Sequence, residues 1–340
     1  MKRGLSAALV VWAIMALTLH AALGAERIEF VSGDFTLVGE LQLPEGDGPF
    51  PAIVMIHGSG ESDRTDWGKY IPIMNRMLDA GYAVLCWDKP GVRESRGILA
   101  ADGNVINQRA AILVAGIDHL KLHPSIDPAR IGVWGLSQGG VVAPMALTMT
   151  GDITFLIVNS GPGTDGIAQG AYLQSRRLIC RGSDEELAKR AEVSLSALPR
   201  SATYAEYLSH MQVLIDIPGL GYEESSIEAE IEWAPWDLSE GATFDPVSVI
   251  EQTAIPVLAF YGEFDHRVDP IQGVDAYQAA LQGGHSLSQA ILLETAGHTL
   301  NYTRSGCSDV SGRTYVAKYL DHTEGWLREI LTALAAVSAP

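Results

Sequence analysis

Positive charge is scarce in this chain. Its 340 residues hold 23 Lys and Arg against 41 Asp and Glu, and the net charge of −18 excludes the broad basic surface by which proteins grip nucleic acid or anionic membrane. Cysteine is scarcer still. Cys86, Cys180 and Cys307 are too few for a disulfide-built scaffold and leave at least one thiol unbridged, and their spacing is not that of metal ligands. A Cys180–Cys307 bridge is conceivable in an oxidising compartment, whereas Cys86 sits in an apolar run and is expected to be buried. Beyond the first residues no apolar run is long enough for a membrane span, and no internal repeat or low-complexity tract occurs. What remains is a chain 47% hydrophobic and 19% charged, which excludes a disordered or fibrous protein and suits one large core with an insertion.

Met1-Lys2-Arg3, an apolar run from Leu5 to Leu19 and the small residues up to Ala25 follow the order of an export signal. Residues 1–24 are therefore expected to be removed after Gly24 or Ala25, leaving an exported protein, periplasmic or secreted, with no stable membrane insertion. A retained anchor is the alternative, against which the shortness of the run argues.

Residues 27–31 and 36–43 alternate around Ser32-Gly33-Asp34 and predict a β-hairpin. Six runs without alternation follow, at 52–56, 83–87, 131–134, 155–158, 256–261 and 290–293, as expected of strands buried on both faces. Between them, helical periodicity covers 70–80, 105–122, 138–149 and 274–281. One of these helices carries Pro144, which costs about 3 kcal/mol in a helix interior. Strand alternating with helix predicts an α/β fold, a mostly parallel doubly wound sheet. From Gly161 to Asp245 the alternation stops, and helices are expected over 183–198, 203–215 and 226–233. The division is a core over 25–160, an inserted helical cap over 161–245 and the second part of the core over 246–340.

Gly135-Leu136-Ser137-Gln138-Gly139 is a G-x-S-x-G pattern, common by chance in a chain with 35 glycines. Its setting is more specific, because a strand precedes Ser137 and a helix follows it, the turn on which a nucleophilic serine is presented. A serine hydroxyl needs a base, and the base an orienting acid. Asp265 follows the run at 256–261 and His298 follows the run at 290–293, so both fall at the sheet edge where open α/β sheets bind ligands. Asp269 competes as the acid, and His285 as the base, although His285 precedes its strand. His57-Gly58-Ser59-Gly60, directly after the strand at 52–56, can turn the N–H of Ser59 toward a developing oxyanion, with the N–H of Gln138 as second donor. Gly58 and Gly60 free that loop, while His57 either shapes it or is structural. Asp88-Lys89-Pro90-Gly91 reads as a structural turn, and Asp63 and Arg64 either pair with each other or line an entrance. Trp233 and Trp236 are candidates for an acyl or aromatic pocket, or for packing within the insertion.

Through His57-Gly58-Ser59-Gly60, the segment from Trp87 to Gly91, the segment from Gly135 to Gly140, the segment from Gly262 to Asp265, and Gly297-His298, the chain resembles the α/β-hydrolase superfamily from about Ile28 to Leu331. More narrowly it looks like the esterases and acyl-peptidase-like hydrolases in which the glycine loop runs into an Asp-Arg pair, here Asp63-Arg64. The resemblance implies Ser137 as nucleophile, Asp265 as acid, His298 as base and a cap over the site. The expected activity is hydrolysis of a small-molecule carboxylic ester through an acyl-enzyme, with no metal or organic cofactor. A peptidase or aminoacyl-ester hydrolase is the nearest alternative, and a non-catalytic binding protein on the same fold is the alternative of another class. Specificity is expected in the cap and loops, and no oligomeric state is implied.

Overall fold

A computed structural model describes residues 25–100, 104–307 and 314–337 of the chain. The segment read as an export signal lies outside them. The expected hairpin is present: β1 (Ala25–Ser32) pairs antiparallel with β2 (Phe35–Gln42), with Ser32 opposite Phe35. Gly33 turns the chain at φ +53°, a left-handed conformation that glycine takes without steric cost. The six apolar runs become β3 (Phe50–Ile56), β4 (Ala83–Trp87), β5 (Ile126–Leu136), β6 (Ile153–Asn159), β7 (Val257–Gly262) and β8 (Gln289–Leu293). They form one sheet in the order β1-β2-β4-β3-β5-β6-β7-β8. The pairs β1/β2 and β2/β4 are antiparallel and all others parallel, so every strand from β3 onward ends at the same edge.

The helices in chain order are α1 (Ile71–Asp79), α2 (Val105–Lys121), α3 (Gly139–Leu147), α4 (Gly166–Cys180), α5 (Glu185–Ala197), α6 (Tyr204–Ile215), α7 (Glu240–Thr243), α8 (Pro246–Gln252), α9 (Pro270–Ala280) and α10 (Ala317–Val337). They cover the sheet on both faces, which is why its strands carry no polar alternation. Along β3, Val54 and Ile56 pack into the layer with α2, α3 and α9, whereas Ile53 and Met55 pack into the layer with α1 and α10. Period-two alternation thus survives as a choice between two apolar layers.

The segment from β6 to β7 is helical and closes largely on itself. Leu178, Ala188, Ala191 and Ile217 make one small cluster, and Leu198, Tyr207, Met211 and Leu214 another. Its helices carry their own caps: the side chains of Asp165, Asp184 and Thr203 accept backbone N–H groups at the starts of α4, α5 and α6. Two details differ from expectation. Helix α4 carries no run that marked it in the sequence, and the helix expected over 226–233 is replaced by a single tight turn, Glu224–Ser226, after which the chain is irregular. Ser226 there closes a reciprocal cap with Glu223 instead of starting a helix. Cys180, the last residue of α4, is bridged to Cys307 with their Cα atoms 5.2 Å apart, and Cys86 is buried in β4. No helix among the described residues is long and apolar enough to cross a membrane.

Candidate active site

Ser137 is the first residue beyond β5 and sits at φ +54°, in the left-handed region that non-glycine residues rarely occupy. The turn is held from both sides. The Ser137 N–H donates to the carbonyl of Asn159 at the end of β6 (2.8 Å), and the Gly140 N–H donates back to the carbonyl of Ser137 (2.8 Å). The flanking glycines are needed for space: a Cβ on Gly135 would lie 2.4 Å from the carbonyl oxygen of Gly139, and one on Gly139 2.3 Å from that of Ile56. Helix α3 starts at once, with Gln138 as its capping residue, so the positive end of its dipole faces the serine.

Asp265 and His298 come from the loops after β7 and β8, and the structure brings them together. His298 Nδ1 lies 3.0 Å and 2.9 Å from the two carboxylate oxygens of Asp265, and both residues are buried. Asp265 Oδ1 also accepts the backbone N–H groups of Arg267 (2.8 Å) and Val268 (3.0 Å), which fix the carboxylate before it meets the imidazole. The competing residues are engaged elsewhere. Asp269 caps α9 through the N–H groups of Ile271 and Gln272, both at 3.1 Å, and His285 accepts the N–H of Leu287 at the opposite end of β8.

The loop between β3 and α1 carries His57, Gly58, Ser59 and Gly60. A Cβ on Gly58 would lie 3.3 Å from that of Ser137, so the loop passes directly over the serine. Two buried cations hold its carbonyls. Lys89 Nζ donates to the carbonyl oxygens of Gly58 and Gly60, and Arg109 from α2 donates to those of His57 (2.6 Å) and Gly58 (3.3 Å) and to Oε1 of Gln138. Burial, and then the like charge of Arg109, pull Lys89 down to about 7, and burial takes Arg109 down to about 10. Burial, then Lys89 and Arg109, hold His57 at about 4, which leaves its imidazole neutral at pH 7. Its ring packs on Tyr70 with centroids 5.4 Å apart, while its carbonyl takes the Arg109 guanidinium.

Asp63 and Arg64 do not pair with each other. Arg64 makes two hydrogen bonds to the carboxylate of Asp88 (3.2 and 2.7 Å) and one to Glu40 (2.9 Å). Asp63 accepts the N–H groups of Thr65 (3.1 Å) and Trp67 (2.7 Å) and pairs with Arg93 (2.6 Å). It thereby stabilises Asp66 and Trp67, both at positive φ. The Arg93 guanidinium lies 5.3 Å from the centroid of the Trp67 ring.

Ser59, Ser137 and His298 line one cavity of about 440 Å³. Trp67, Tyr70 and Asn301 line it too, and sequence reasoning passed over them because nothing in their local pattern sets them apart from loop and core residues. The expected tryptophans are elsewhere. Trp233 packs against Tyr207 and Tyr204, with centroids 5.6 and 5.9 Å away, and Trp236 is exposed. Among the described lining residues none belongs to the helices between β6 and β7, so the cap implied by resemblance supplies no wall to this cavity.

Residues 53–307 match the model of the alpha/beta hydrolase family. The chain is 31% identical over 119 residues to esterase FrsA of Klebsiella pneumoniae, covering 34% of this chain and 27% of that protein. It is 25% identical over 240 residues to esterase EstD of Thermotoga maritima, covering 68% of this chain and 50% of the relative. The chain thus spans half or less of the length of these curated relatives. Among solved structures an esterase of Pyrococcus furiosus superposes with a TM-score of 0.57 at 16% identity, over 92% of either chain, a likeness of fold. The serine on its tight turn, the paired carboxylate and imidazole at the same sheet edge and a family match over three quarters of the sequence agree, and the chain belongs to the alpha/beta hydrolase family.

Proposed function

We propose that the protein hydrolyses small carboxylic esters through an acyl-enzyme on Ser137. The observation that carries this reading is the Asp265–His298 pair opening on the same cavity as Ser137. In the proposed reaction His298, held by Asp265, takes the proton of Ser137 as its oxygen attacks the ester carbonyl. The N–H groups of Ser59 and Gln138 receive the oxyanion. The imidazolium then protonates the departing alcohol, and water repeats the sequence to release the acid and restore Ser137. Esterase names among the relatives favour an ester over an amide, and a cavity of about 440 Å³ favours a small substrate. The leader-like order of residues 1–24 in the sequence and the Cys180–Cys307 bridge support the reading of an exported protein.

The test is incubation with a fluorophosphonate followed by mass mapping of the modified residue. Labelling at Ser137 that is lost in His298→Ala is the expected result, and paired p-nitrophenyl ester and anilide substrates then separate esterase from amidase. Labelling elsewhere, or none in folded protein, would overturn the reading.

A further inference from the structure

Charge buried without an opposite charge bonded to it is costly, and Lys89 and Arg109, both buried beside the serine, bond no carboxylate among the described residues. The hydrogen bonds of Lys89 Nζ and of the Arg109 guanidinium go to carbonyl oxygens. The carbonyls chosen are those that decide where one particular N–H points. The Gly58 carbonyl and the Ser59 N–H belong to a single planar trans peptide, in which C=O and N–H point in opposite directions. Fixing one fixes the other. Lys89 takes the carbonyls of Gly58 and Gly60, on both sides of Ser59, so the Ser59 N–H is turned away from the ammonium. Arg109 binds the same Gly58 carbonyl and reaches across to the side chain of Gln138, the residue that opens α3. Its five donors form a rigid fork, which suits it to bridge the loop's backbone carbonyls and the Gln138 side chain.

We infer that Lys89 and Arg109 are positioning residues that preset one oxyanion donor, the N–H of Ser59, and tie its loop to Gln138, the residue bearing the second donor, before substrate arrives. The inference rests on the serine-hydrolase reading above. A preset donor stabilises charge in the transition state without first having to reorient, so the benefit falls on kcat and much less on ground-state binding. Arg109 joins the halves of the hole, and Lys89 holds the shape of one half.

The experiment is p-nitrophenyl ester hydrolysis by the wild-type chain, Lys89→Met, Arg109→Met and Arg109→Lys, each with a measured affinity for a trifluoromethyl ketone. That ketone forms a hemiketal oxyanion on the serine. A wild-type chain without turnover would defeat the hydrolase reading itself. Given wild-type turnover, Lys89→Met and Arg109→Met are expected to lose about 100-fold in kcat with KM changed less than about threefold, and ketone affinity is expected to fall in step with kcat/KM. Arg109→Lys keeps the charge and loses the fork, and about tenfold is expected. It carries the test alone should either methionine variant fail to fold. Folded variants with kcat within threefold of wild type, or a loss in kcat that ketone affinity does not follow, would overturn the inference.

Discussion

The loop from His57 to Tyr70 and the helical segment between β6 and β7 differ several-fold in length, and the shorter one builds the cavity. Ser59, Trp67 and Tyr70 come from the loop, whereas the helices α4 to α8 contribute none of the described lining residues. The reason lies in how each is held. The loop has little apolar surface of its own and is fixed by groups from elsewhere, by Lys89 and Arg109 beneath it and by Arg93 at Asp63. The insertion carries its own caps and its own small cores. A segment satisfied internally has no need to face the site, whereas a loop braced from outside is placed to the precision of its braces.

That contrast makes substitutions at the sheet edge kinetic and substitutions in the insertion structural. The largest effect is expected for Asp265→Asn, which keeps the shape of the buried pair while leaving the imidazole in the wrong tautomer. Its kcat should fall by about 10⁴-fold with the melting temperature changed by only a few degrees. A variant that unfolds instead would move Asp265 to the structural side.

A smaller effect concerns pH and the braced loop. His57 is held at about 4 when folded, against about 6.5 in an unfolded chain, so between these values the unfolded chain binds a proton that the folded one refuses. Stability should therefore fall by roughly 3 kcal/mol as pH drops from 6.5 toward 4, an order-of-magnitude figure. Lys89, at about 7 when folded against about 10.4 unfolded, works in the same direction at higher pH, and stability should rise as pH goes from 7 toward 10. Urea titrations of wild type and Lys89→Met check this, the upper slope vanishing in the variant.

The smallest effects compare two tryptophans. Trp67→Ala should lower kcat/KM by about fivefold, roughly 1 kcal/mol, since the ring lines the cavity. Trp236→Ala, exposed in the insertion, should leave kcat/KM unchanged and stability within about 0.5 kcal/mol. Reversed results would show that the insertion reaches the substrate.

The sheet was legible because burial on both faces writes itself as unbroken apolar runs, and β4 coincides with its run residue for residue. The candidate serine, acid and base were legible because each follows such a run at the edge where parallel strands end. Lys89 and Arg109 were not. Their carbonyl partners lie roughly 30 and 50 residues away, and a lysine in a turn or an arginine in a helix has no local mark of the oxygen it will meet. Asp63 and Arg64 were read as pairing with each other or lining an entrance because they are neighbours in sequence, whereas their ion-pair partners, Arg93 and Asp88, come from another turn of the chain. Trp233 was read either as a pocket wall or as packing within the insertion, and it packs on two tyrosines of its own segment.

The bridge between Cys180 and Cys307 closes a ring of chain 127 residues round, and the candidate machinery is divided by it. Asp265 and His298 lie inside the ring, while Ser137 and the loop from His57 lie outside. A protease that nicks the insertion beyond Cys180 cuts the polypeptide into one piece bearing the serine and another bearing the imidazole, yet the two remain a single covalent molecule. Cleavage alone does not remove that link, and neither does reduction alone. Only such a cut and reduction together leave the candidate serine and its candidate base with no covalent connection.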